Sequence, residues 1–141
     1  MNGPFPLDAV IARIATLPEV SLAGNAADLE AALNTPPRAV PAVYVLSDES
    51  GKPTLGATGR ALQPITVTLK LVMWVRNAGG AARIVAEMAQ VETALRAALF
   101  GWHPSSDTRP LTVRASGSEQ AWGNHLVRQL LLSTEYTQTT A

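Results

Sequence analysis

The sequence predicts an α+β fold, a mostly antiparallel sheet with one long and one or two shorter helices packed on it. Three observations lead there. Within residues 63–76 every second position from Ile65 to Val75 is apolar, the period-two pattern of a strand. Apolar residues recur at helical spacing along residues 81–100. The chain has 141 residues, 47% of them hydrophobic, with no internal repeat or linker, so residues 1–141 read as a single domain.

Taken in order, Leu7 to Leu17 reads as the first helix, because Leu7, Val10, Ile11 and Ile14 recur on one side and Pro18 ends the run. Pro6 suits the first helical turn, where its missing N–H costs nothing. Val20 to Ala23 alternates as a short strand before Gly24-Asn25. A weaker helix follows at Ala27–Leu33 and stops at Asn34-Thr35-Pro36-Pro37. Val40 to Leu46 reads as a buried strand, with Pro41 confined to its beginning or to an edge because proline cannot donate to a ladder. Residues 47–61 are turn-rich and read as a long mobile loop.

Gln63–Arg76 is the strongest strand signal. Ile65, Val67, Leu69, Leu71, Met73 and Val75 share one face, and Thr66, Thr68 and Lys70 the other. Past Lys70 the second face turns apolar with Val72 and Trp74, so that half is expected to be covered on both sides. Such a strand runs roughly 40 Å, well beyond the usual five or six residues. Ala81 to about Phe100 is the long helix, with Ile84, Met88, Val91, Leu95 and Leu99 as its apolar stripe. Its Glu87 and Glu92 are expected on a solvated face, Glu92 pairing there with Arg96, and Gly101 ends it. A short strand at Pro110–Ala115, a turn at Ser116-Gly117-Ser118 and a last strand from Trp122 to Thr137 complete the order, with residues 138–141 expected to fray. Trp102 and Trp122 flank the short strand and are expected to pack together.

Composition excludes several classes. Low charge (16%) with ample apolar content rules out disorder, and no stretch of about 18 apolar residues suggests a membrane span. The start Met1-Asn2-Gly3-Pro4 has no signal-peptide pattern, so a cytoplasmic location is expected. Without cysteine there is no disulfide, thiol nucleophile or thiolate metal site. The 23 alanines and 5% aromatics mean that large core side chains are few. The net charge of zero conceals a split: residues 1–50 sum to −4 and residues 51–141 to +4. Acidic and basic surfaces of this kind can meet on neighbouring copies. The basic residues are scattered, which argues against sequence-specific nucleic-acid binding.

Motifs for chemistry are missing. Gly56-Ala57-Thr58-Gly59 neither follows a strand directly nor opens a helix, as a dinucleotide turn must. Gly51-Lys52 is followed by proline and is no phosphate loop. His103 and His125 lack a further ligand at metal spacing, and Ser116 and Ser118 lie in no nucleophile elbow. No catalytic, cofactor-binding or metal residue is expected, and an enzyme is disfavoured.

Three segments taken together resemble one family. They are Ala42-Val43-Tyr44-Val45-Leu46 with the loop ending Ala57-Thr58-Gly59; Thr66 to Asn77 running into an alanine-rich helix; and Ala94 to Pro104 through Leu99-Phe100-Gly101-Trp102-His103-Pro104, followed by the Pro110-Leu111 strand and a final long strand. Over roughly residues 5–137 the chain resembles the tail terminator, or tail completion, proteins of long-tailed double-stranded DNA phages and prophages. The resemblance implies a structural protein that assembles, usually as a hexameric ring, on the finished tail tube. That ring ends tube polymerisation and offers a surface to the head. Implied partners are further copies of the chain, the tail tube protein and a head-completion or connector protein, with no membrane and no cofactor. The implied location is the bacterial host cytoplasm during assembly and then the virion tail. Another head–tail connector or tube subunit of related fold is the alternative. Candidate contact residues, between subunits or with the tube, are Asp48, Glu49, Lys52, Arg60, Lys70, Arg76, Trp102, Arg114 and Trp122. Gly117 to Gly123 departs from the more apolar, acidic-rich hairpin of the family pattern.

Overall fold

The alternation along the middle of the chain becomes the central strand of a five-stranded sheet. The computed structural model describes residues 1, 3–54, 61–76 and 79–139. In chain order the elements are α1 (Leu7–Ala15), β1 (Leu22–Gly24), α2 (Ala26–Asn34), β2 (Ala42–Gly51), β3 (Leu62–Arg76), α3 (Ala81–Leu99), β4 (Thr112–Trp122) and β5 (His125–Thr139). The sheet order is β1-β2-β3-β5-β4, with β1 parallel to β2 and every other pair antiparallel. The expected α+β class is what forms.

Parity sorts the side chains onto two faces. On the helix face, Val67, Leu69, Leu71, Met73 and Val75 of β3 join Val43 and Val45 of β2 and Leu130, Leu132 and Tyr136 of β5. The buried stripe of α3 (Ile84, Met88, Val91, Leu95, Leu99) and Val10 and Ile14 of α1 close over them. The other face, here the open face, has a second and smaller apolar cluster at one corner: Ala42, Tyr44, Val72, Trp74 and Val127 beneath Ala32 of α2. The half of β3 past Lys70 is therefore covered on both sides, as Val72 and Trp74 implied. The short α2 is set by a capping box, in which the Asn25 side chain accepts from the Asp28 N–H while the Asp28 carboxylate accepts from the Asn25 N–H.

Several expectations need correction. Strand β2 continues through Ser47–Gly51, because each of those residues pairs with β3 between Leu69 and Ile65. The expected mobile loop at 47–61 thus loses its first third to the sheet, and its residues 55–60 lie outside the described ones. The strand expected to end at Ala115 runs to Trp122, and the supposed turn at Ser116-Gly117-Ser118 is a bulge within it. Alternation is broken there by register shifts at Val113/Ala115 and Gly117/Gln120, and that break hides the strand from a period-two reading. Residues 138 and 139 are strand rather than frayed tail, since Gln138 pairs with Gln63 and Thr139 with Leu62. Met1 also lies against that end, its carbonyl accepting from the Thr139 N–H. Residues 140 and 141 lie outside the described ones.

Glu92 is not on a solvated face. Its carboxylate accepts from Arg96 (2.9 Å), from Arg128 (2.9 Å) and from the Ser116 hydroxyl, and Arg128 also binds Glu119 (2.6 Å). Only 16% of the Glu92 side chain is exposed. Burial alone raises its pKa, but the hydrogen bonds from Ser116, Arg128 and Arg96 outweigh that and hold the carboxyl below its ordinary value. This network ties α3 to the bulged β4 and to β5.

Candidate functional site: a groove on the open face of the sheet

Because α2 spans only nine residues, it covers one corner of the open face and leaves a groove beside it. The groove holds about 210 Å³. Leu29 and Leu33 of α2 form one wall, and Ser118, Gln120 and Trp122 of β4 form the other. Its floor is Leu46, Lys70, Val72, Trp74, Val127 and Gln129. Leu33 (43% exposed) and Trp122 (39%) are large apolar side chains open to solvent at its rim. Large exposed apolar groups concentrated at one hollow mark an interaction surface more often than a lone exposed leucine does.

The tryptophans define the site's deep end. Trp74 is 1% exposed and packs edge-to-face against Tyr44 (6.3 Å), Trp122 (6.4 Å) and the His125 ring (5.7 Å). Trp102 lies on the helix side of the sheet, with the Arg13 guanidinium 4.6 Å above its ring. The expected Trp102–Trp122 pair is therefore replaced by Trp74–Trp122. The strand between the two tryptophans is longer than expected, and Trp122 falls on the other face of the sheet. His125 is buried beside Trp74, and neither its nitrogens nor Trp74 Nε1 forms a well-made hydrogen bond among the described residues. Burial lowers the His125 pKa and the Arg76 charge adds to that, while the nearby Trp122 backbone offsets part of it. Burial and the Arg76 charge thus favour the neutral ring, which packs as a flat apolar neighbour of Trp74.

Charge in the groove is sparse. Lys70 is its one charged residue, is exposed, and makes no ion pair among the described residues. No group of His, Asp or Glu suited to a metal occurs among those residues. The arrangement can bury an apolar side chain and neutralise a carboxylate, and it offers no acid–base pair for chemistry.

Of the residues singled out from the sequence, only Lys70 and Trp122 come together in this groove. Asp48 is exposed on the open face, opposite Thr68. Glu49 faces the other way, accepting from the Phe5 N–H (3.4 Å) and the Tyr136 hydroxyl, so its carboxylate is engaged within the chain. Lys52 pairs with Glu135 at 3.0 Å. Arg76 ends β3 in an exposed position, and Arg114 is exposed at the first bulge of β4. Trp102 is far from the groove, on the opposite face, and Arg60 lies outside the described residues. Sequence reasoning missed Leu33, Val85 (57% exposed) and Phe100 (65%). A signal existed for Val85, which falls out of phase with the buried stripe of α3.

Comparison with known proteins gives one family match. The family model described as phage tail terminator protein matches residues 1–139. No curated protein matches. Among solved structures, a chain from the virion of a native gene transfer agent particle is similar to this one, at 14% identity and a TM-score of 0.46 over 91% of this chain and 84% of that chain.

Proposed function

This chain belongs to the phage tail terminator family, and from that premise we propose that it forms a ring, hexameric as in the family resemblance, on the end of the finished tail tube. It is a structural tail protein. The ring stops further tube polymerisation on one side and presents a joining surface to the head on the other. Its partners are further copies of itself, the tail tube protein and a head-completion or connector protein. Assembly takes place in the host cytoplasm, and the ring then stays with the virion tail.

The observation that carries this reading is the charge left unpaired inside the chain. All four ion pairs among the described residues are made by residues 52–135. None involves an acidic residue of the first fifty, so among the described residues the −4 of that segment is not neutralised by ion pairing. A soluble surface tolerates this, and a self-assembling subunit can use it, because complementary potentials orient successive copies. The unusually long β3 and β5, 15 residues each, extend the sheet well past what α1 and α2 cover.

The proposal is tested by incubating gold-labelled protein with polymerised tail tubes and imaging them by electron microscopy. Label at one end of each tube is expected. Label scattered along the tube wall, or absent from it, contradicts the reading.

A further inference from the structure

We propose that the groove on the open face receives the solvent side of α3 from a second copy, with Glu19 of the incoming copy meeting Lys70 of the receiving one. This deepens the ring reading above, on which it rests, by naming the two surfaces that meet.

The first surface is a stripe on α3. Val85, Ala89, Thr93, Ala97 and Phe100 recur every three or four residues, all exposed, and so fall on one side of the helix. The charged residue on that side, Arg96, is already paired with Glu92, so the stripe offers apolar area with no charge left free of its own. Its two large members are among the most exposed apolar side chains described, Phe100 at 65% and Val85 at 57%. Small residues between them let another backbone or ring approach closely. Glu19 belongs to the same surface: it lines a shallow hollow with Ala89, Gln90, Thr93, Ala94 and Ala97. It is exposed and makes no ion pair among the described residues.

The second surface is the groove, largely apolar through Leu29, Leu33, Leu46, Val72, Trp74 and Trp122, with Lys70 as its one charged residue among the described ones. Each surface thus sets an unpaired charge beside apolar area, Glu19 on one and Lys70 on the other, and the two have opposite signs; the nearby Arg13 is held by the Ala98 carbonyl and the Trp102 ring. That complementarity selects a second copy of this chain as the occupant. The surfaces lie on opposite sides of the sheet, so the contact runs head to tail, and a repeated head-to-tail contact closes into a ring when the rotation permits. The free edge of β4 is a poorer joint. It is broken by two register shifts and carries Arg114 and Glu119, devices that discourage edge-to-edge strand pairing.

The chain contains no cysteine, so introduced thiols report on single sites. Glu19→Cys and Lys70→Cys variants are mixed and treated with a short bis-maleimide, both free in solution and on tail tubes. The mixture is expected to give a cross-linked dimer that neither variant yields alone. In a second experiment, Glu19→Lys and Lys70→Glu each lose association, and an equimolar mixture regains it, because only unlike copies then present opposite charges at the joint. Both positions are exposed, and unchanged thermal unfolding confirms that the variants fold. No mixed cross-link under either condition, equal cross-linking by one variant alone, or failure of the reversed pair to regain association overturns the proposal. Tube capping without the cross-link rejects this joint and leaves the tube-end reading standing. The cross-link without capping does the reverse.

Discussion

Glu92 shows how one side chain ties the sheet to its helix. It sits mid-helix on α3, yet its carboxylate is shared by Arg96 on the same helix and by Arg128 and Ser116 on the sheet. Removing one member of such a mostly buried set leaves the others desolvated and unpaired. Glu92→Ala is expected to cost about 2 kcal/mol, below the range for fully buried pairs because Arg128 keeps Glu119. Urea unfolding at neutral pH measures it. Since the folded carboxyl titrates below its ordinary 4.5, its stabilisation is complete above about pH 4.5 and is lost as pH falls through the folded value. The advantage of the native chain over Glu92→Gln should therefore shrink in acid. His125 has the same sign from a different cause. Its folded pKa lies below 6.5 because the ring is buried and faces Arg76, so protonation below pH 6.5 favours the unfolded chain. His125→Phe, which keeps a ring against Trp74, is expected to flatten the fall in melting temperature between pH 7 and pH 5. An unchanged slope contradicts that assignment.

Elements were legible in proportion to their regularity. The alternation of β3 and the stripe of α3 are periodic over many residues, and both form within a residue or two of where the sequence places them. Strand β4 was readable only to Ala115 because two bulges break its period, and Gly117-Ser118 looks like a turn when read alone. The residues are there for the bulge: Gly117 has φ +147° and Ser118 φ +55°. Nothing lies within 4 Å of a Cβ added at Gly117, so Gly117→Ala tests backbone strain without steric interference. It is expected to cost about 1 kcal/mol by denaturant unfolding. No cost would mean that the bulge adapts freely. The groove was half legible. Lys70 and Trp122 were named from charge and aromatic character, but Leu33 and Leu46 join them only through the placement of α2 over β1 and β2, which no local pattern encodes. Glu49 and Lys52, named for the same reasons, turned out to be engaged with Tyr136 and Glu135 at positions far along the chain.

At the scale of the whole molecule, two surfaces face away from each other across one sheet. On one side lies a helix stripe with Val85 and Phe100 exposed and its Arg96 already paired with Glu92. On the other is a largely apolar groove in which Lys70 is the one charged residue and makes no ion pair among the described residues. The first fifty residues keep their negative excess and the remainder its positive one, because ion pairing among the described residues occurs only within the remainder. A subunit with these properties suits repeated head-to-tail contact, the contact proposed above for a ring of this phage tail terminator family member. The most direct measurement is the length of tail tubes polymerised with and without this protein, read by electron microscopy. Tubes made in its presence are expected to stop at a narrow length distribution, with extra density closing one end. Unchanged lengths with both ends open would contradict the role in ending the tube.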